Sequence, residues 1–121
     1  MQPKTILLVH QDPIFRHETA QFLRDNGYEV YETDRGQVAT DLIDKVAFAV
    51  VIASLQTSDS ISGIEVLVHH ELVSPGRGKI LITDFLSKNV DYLVTFIGAL
   101  CVPAQISKDR LLVWIQSVSP P

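Results

Sequence analysis

Ile6 to Pro13 reads "ILLVHQDP", four apolar residues followed by His10, Gln11, Asp12 and a proline. So short and apolar a run reads as a buried strand. Asp12 and Pro13 then read as a helix start, because a carboxylate can accept hydrogen bonds from free first-turn amides and proline lacks only an N–H that would be unpaired there. The polar break falls between strand and helix, at the strand's carboxyl end, where α/β domains place their chemistry. The function of His10 and Gln11 is therefore the question that the stretch raises.

The same reading extends in both directions along the chain. "DPIFRHETAQFLRDNGY" continues the helix, with Phe15, Thr19 and Phe22 on one face and Gly27 as its stop. Further apolar runs lie around Glu29 to Tyr31, at Ala49 to Ala53, Lys79 to Thr83 and Leu100 to Val102. Helical spacing separates them: a second helix opened by Thr33 or Asp34 and running to Lys45, a third over Gly63 to Leu72, then a "SPGRG" loop, and two more over Lys88 to Gly98 and Ser107 to Val118. Alternating strands and helices predict a doubly wound parallel sheet covered on both faces. The domain should span residues 1–118, leaving 119–121 as a tail or the start of a linker.

Bulk composition narrows the class. A chain of 121 residues with 46% hydrophobic and 20% charged residues suits one globular domain. Net charge is -4 and the Lys and Arg residues are scattered, which argues against nucleic-acid binding. Ile6 to Val9 is too short for a signal-peptide core, and no run approaches the ~18 apolar residues of a membrane span. Cys101 between Leu100 and Val102 reads as a buried thiol in a reducing compartment, so a cytoplasmic setting is expected.

The last two helices carry more apolar residues than one sheet face needs. In "NVDYLVTFIGA" and "RLLVWIQSV" such residues run nearly all the way round, where a stripe of ~100° would suffice. The surplus either fills a tight core or forms a contact surface.

The framework resembles the receiver domain of two-component response regulators, over essentially the whole chain. "ILLVHQDP" stands where receivers read I-L-x-V-D-D-D/E-x, and "FAVVIASLQTSDSISGIEVL" resembles Y-D-L-V-L-L-D-L-x-M-P-x-x-D-G-x-E-L-L. "KILIT" resembles P-V-I-x-L-T/S, and "VPAQISKDRL" resembles K-P-F-x-x-x-x-L. The resemblance implies a flavodoxin-like (βα)5 fold, a five-stranded sheet in three α/β/α layers, and a place in phosphorelay signalling.

In that family two acids after the first strand and an aspartate after the third hold Mg²⁺, the aspartate takes a phosphoryl group, and a lysine after the fifth strand neutralises it. Carried over by position, the acid pair falls on His10 and Gln11, the phosphoacceptor on Ser54 and the lysine on Val102, while the hydroxyl after the fourth strand survives as Thr83. Mg²⁺ favours hard oxygen ligands, and an imidazole and an amide offer little to draw it from water. A serine hydroxyl is un-ionised at neutral pH and would give a stable ester, not a labile acyl phosphate. With the carboxylates gone, a lysine would be a poorly compensated charge, and Val102 removes it too. The resemblance therefore implies a pseudo-receiver: no bound Mg²⁺, no other cofactor or metal, no catalysis, and signalling by protein contact.

Other arrangements of the same residues remain open. Asp12 reads as a helix cap or as a metal flank, and His10 with Asp12, Asp59 and Asp84 would be a rebuilt metal site if the loops converge, although loop aspartates more often shape turns. Asp59 is also an alternative phosphoacceptor, and the crevice itself an alternative small-ligand site. Ser54 with His10 and an aspartate spells a hydrolase triad but lacks the G-x-S-x-G elbow. His69 and His70 are adjacent on a helix, with no H-E-x-x-H spacing, and read as surface or half-buried residues. The loop after Ser54 lacks the family's proline, and the family's aromatic switch position, before the lysine, falls near Ala99. In receivers the fourth helix, fifth strand and fifth helix form the contact and dimer face, and here those elements carry the apolar surplus. Tyr92, Phe96, Leu112 and Trp114 are the expected contact residues for a partner protein or a second copy.

Overall fold

The longest apolar runs form the interior of the sheet. In the computed structural model, which describes residues 4–119, the strands are β1 (Thr5–Val9), β2 (Glu29–Thr33), β3 (Val50–Ser54), β4 (Gly78–Ile82) and β5 (Leu100–Val102). All pairings are parallel and the order is β2-β1-β3-β4-β5. Every residue of β3 and β4 is buried, as central strands covered on both faces require, whereas β2 and β5 are half-exposed edges.

The helices are α1 (Pro13–Asp25), α2 (Gly36–Lys45), α3 (Gly63–Val73), α4 (Lys88–Ile97) and α5 (Lys108–Val118). Strand alternation divides the core in two. Ile6, Leu8, Ile52 and Ile80 pack with Leu23 of α1 and with Leu111 and Ile115 of α5. Leu7, Val51, Ala53 and Leu81 pack with Ile43 of α2, Leu67 of α3 and Ile97 of α4. Each fully buried Leu or Ile contributes about 1.5 to 3 kcal/mol relative to exposure, so the two layers hold the sheet from both sides. This is the expected flavodoxin-like three-layer fold. The tail expected at 119–121 lies, beyond Ser119, outside the described residues.

Four expectations need correction. The second helix opens at Gly36, not at Thr33 or Asp34; Thr33 finishes β2, and Arg35 occupies the cap position with no side-chain cap bond of its own. The missing cap comes from the β3–α3 loop, where Asp59 accepts the Gly36 and Gln37 amides at 3.0 Å each. Leu112 is half-buried against the α1 and α5 core layer, because it follows Leu111 on the flank of α5 that meets the sheet, so it leaves the contact set. His70 is no surface residue: at 1% exposure it belongs to the buried flank of α3, while His69 reaches Asp44 of α2 at 2.7 Å. Val102 is buried with Ile82 in the α1 and α5 layer and does not line the cleft described next.

Candidate functional site

Because the chain leaves β1 toward β2 on one side and reaches β3 on the other, a crevice opens beyond the carboxyl ends of β1 and β3. His10, Gln11, Ser54 and Thr83 meet there. Together with Leu55, Gln56, Ile82, Asp84, Phe85 and Ala104 they line a cleft of about 300 Å³.

His10, Ser54 and Thr83 are each held by bonds within their own turns. The Asp12 N–H donates to His10 Nδ1 at 3.1 Å, and the Asp12 carboxylate accepts the Ile14 and Phe15 amides of α1. Asp12 is thus the helix cap. The His10 ring lies 4.4 Å from the Phe15 ring, and Arg16 donates to the His10 carbonyl at 2.8 Å. Burial lowers the His10 pKa, outweighing the opposing Asp12 carboxylate, with Arg16 acting in the same direction as burial. With Nδ1 accepting, the neutral ring carries its proton on Nε2.

Ser54 is 8% exposed and its hydroxyl donates to the Gln56 carbonyl at 2.6 Å. Thr83 donates to the Phe85 carbonyl at 3.0 Å and accepts the Phe85 amide at 3.2 Å. Both hydroxyl protons are committed to main-chain carbonyls. Asp84 accepts the Ala104 amide at 2.9 Å, tying the β4–α4 loop to the loop that follows β5.

The β3–α3 loop is fixed just as closely. Besides capping α2, Asp59 accepts the Ile61 amide and the Thr57 hydroxyl. Bonds from the Gln37 amide above all, then from Ile61, Thr57 and Gly36, hold its carboxyl below the usual range. Gly63 begins α3 directly against the end of β3: a Cβ there would be driven into the Ser54 carbonyl. The D-G element of the resemblance therefore has a steric reason in this chain at its glycine.

Asp12, Asp59 and Asp84 thus accept from three different sets of main-chain amides. Among the described residues no group of three or more His, Cys, Asp and Glu side chains is placed to share a metal ion. Sequence reading missed Asp59 as a cap, because its partners lie 22 and 23 residues away. It also missed Gln56 and Phe85 as cleft residues; their positions just beyond β3 and β4 were the available signal.

The contact candidates separate. Tyr92 and Phe96 are exposed on α4 with rings 6.2 Å apart, Phe96 at 76% exposure, and Trp114 is partly exposed on α5 beside exposed Val113. Cys101 is half-buried, and burial pushes its thiol pKa up. No helix among the described residues is long and apolar enough to cross a membrane.

Comparison with known proteins gives one consistent result. No protein-family model matches the sequence, and no curated protein matches it. Solved structures do match. A CheY-like response-regulator receiver domain from Methanospirillum hungatei aligns at TM-score 0.88 with 25% identity, covering 96% of this chain and 93% of that one. The chemotaxis protein CheY4 of Vibrio cholerae aligns at 0.84 with 22% identity over 96% and 98% of the two chains. The receiver domain of the sensor histidine kinase PA1611 of Pseudomonas aeruginosa, whose active-site cleft holds a magnesium ion, aligns at 0.80 with 15% identity over 95% and 96%. The chain has the fold of response-regulator receiver domains, in the CheY-like, flavodoxin-like (βα)5 form.

Proposed function

We propose that this chain is a cytoplasmic receiver-like domain of two-component signal transduction that takes no phosphoryl group by the family mechanism and signals through protein contact. The observation that carries the reading is the cleft itself. The positions where receivers hold two acids and the phosphoacceptor, His10, Gln11 and Ser54, converge in one site and present a neutral imidazole, an amide and a bonded hydroxyl. The Pseudomonas receiver holds magnesium in its cleft; here the donor set does not suit that ion, because an imidazole, amides and hydroxyls line the cleft with a single carboxylate, Asp84. The Ser54 hydroxyl donates to a main-chain carbonyl and, among the described residues, bonds no base that would raise its nucleophilicity, so neither phosphoryl transfer nor another catalytic activity is proposed.

The proposed contact residues are Tyr92 and Phe96 on the exposed face of α4 and Trp114 on α5. Exposed aromatic side chains of this kind are the residues most often central to protein interfaces. The test is sedimentation velocity over a concentration series. Self-association that Phe96→Glu abolishes, at unchanged melting temperature, is the expected result. A strict monomer, with Phe96→Glu and Trp114→Glu doing nothing but destabilise the fold, contradicts the contact reading.

A further inference from the structure

The carboxyl-edge cleft is lined by one carboxylate and by no Lys or Arg. We infer that it binds an uncharged nucleoside, with the base stacked on Phe85. Three observations converge on that class. Phe85 lines the cleft, is 74% exposed, and has its backbone fixed at the rim by two hydrogen bonds to Thr83. An exposed aromatic face anchored at the mouth of a cleft is a stacking platform for a planar ring.

The polar complement is that of a neutral heterocycle. His10 Nε2–H is a donor with no protein partner among the described residues, since the ring's bond is made through Nδ1. Gln11 and Gln56 line the cleft with amides, which carry donors and acceptors together. Asp84 keeps a second carboxylate oxygen beyond the one that accepts Ala104. Paired donors and acceptors around Leu55, Ile82 and Ala104 match a ring with a hydrogen-bonding edge and apolar faces.

The adjoining hollow extends the match. A second cleft of about 250 Å³ shares Gln11, Leu55 and Gln56 with the first and adds Thr57, Asp59, Ser60 and Ser62. Sharing lining residues with the first and carrying the Ser60 and Ser62 hydroxyls, it suits a ribose. Neither lining contains Lys or Arg, so a phosphate would find no cationic partner. The inference goes beyond protein contact and rests on one half of the proposed function, that no metal or phosphoryl group occupies the cleft.

The test is NMR titration of the isotopically labelled chain with adenosine, guanosine, cytidine and uridine in turn, with ATP and inorganic phosphate as separate arms. Expected are saturable amide shifts confined to residues 10–12, 54–62 and 83–85 with at least one nucleoside. Phosphate should leave them unmoved, and Phe85→Ala should bind about tenfold more weakly at unchanged melting temperature. Any of three results overturns the inference: no shift with any of the four, ATP binding more tightly than adenosine, or equal affinity in Phe85→Ala. Such a failure leaves the proposed loss of phosphoryl chemistry standing, because that is read separately, by intact mass after treatment with a phosphoryl donor.

Discussion

The two edges of this sheet differ in how they hold their polar groups. At the carboxyl edge, Ser54 and Thr83 are bonded within their own turns and burial lowers the His10 pKa. At the amino edge, Lys79 of β4 is 2% exposed and reaches both Glu71 Oε1 and the Arg77 carbonyl at 2.6 Å. His70 lies buried nearby, and among the described residues neither ring nitrogen has a partner in good hydrogen-bond geometry. This buried charge and this unpaired ring sit opposite the edge where the fold places its chemistry. Buried ion pairs of this kind add little net stability, but breaking them is costly. The groups that acid disturbs therefore lie at the amino edge, while the hydroxyls of the carboxyl edge are held by nearby backbone.

The largest test of the carboxyl edge is steric. Gly63→Ala forces a Cβ into the Ser54 carbonyl, and urea unfolding should show a loss of about 3 kcal/mol or more. Wild-type stability in that variant would mean that α3 does not start so close to β3.

The amino edge is tested by acid. Burial, and after it the Lys79 ammonium, with Arg77 acting in the same direction, lower the His70 pKa to about 4; Glu71 opposes them, and the Gly78 backbone slightly favours the charged ring. The groups facing it are Glu71 on its own helix, Arg77 in the α3–β4 turn and Lys79 on β4. In the unfolded chain the ring titrates near ~6.5, so the unfolded state takes the proton first. Stability is then full above ~6.5 and falls as the pH drops toward 4, by about 2 to 3 kcal/mol in all. His70→Leu should remove that part of the pH dependence in urea unfolding measured from neutral pH down to pH 4. An unchanged slope would place the acid sensitivity elsewhere. Glu71, whose pKa is lowered chiefly by its bond from Lys79, loses stability in the same acid direction, so the difference between variant and wild type isolates the histidine.

Smaller effects sharpen the picture of the loops. Asp59→Ala should speed amide exchange at Gly36 and Gln37, which it caps, and lower the urea midpoint by less than Gly63→Ala does. Unchanged exchange at those two amides would remove Asp59 as the cap. Ser54→Ala, which deletes one hydrogen bond to Gln56, should cost about 1 kcal/mol or less in urea unfolding. A larger loss would show that the hydroxyl still carries a structural load beyond its own turn.

How much of this was legible in the sequence depended on range. Strand runs such as Ile6 to Val9 and the Asp12–Pro13 helix start are local patterns, and the structure places them as read. The convergence of His10, Gln11, Ser54 and Thr83 followed from the resemblance, since the fold determines which strand ends meet. What escaped the reading was tertiary. Asp59 caps a helix from another loop, Leu112 turns inward on α5, and Val102 is buried below the cleft. His70 was misjudged for the same reason: adjacency to His69 says nothing about which of the two faces β4. A helix turns about 100° per residue, so one of two neighbours is buried while the other reaches Asp44.

The central claim is that the carboxyl edge keeps the receiver's geometry without its phosphoryl chemistry. Incubation of the protein with a small acyl-phosphate donor and Mg²⁺, followed by intact mass measurement, tests it most directly. The account predicts an unchanged mass, at Ser54 and at Asp59 alike. A phosphoryl adduct that is labile to acid and base would contradict it.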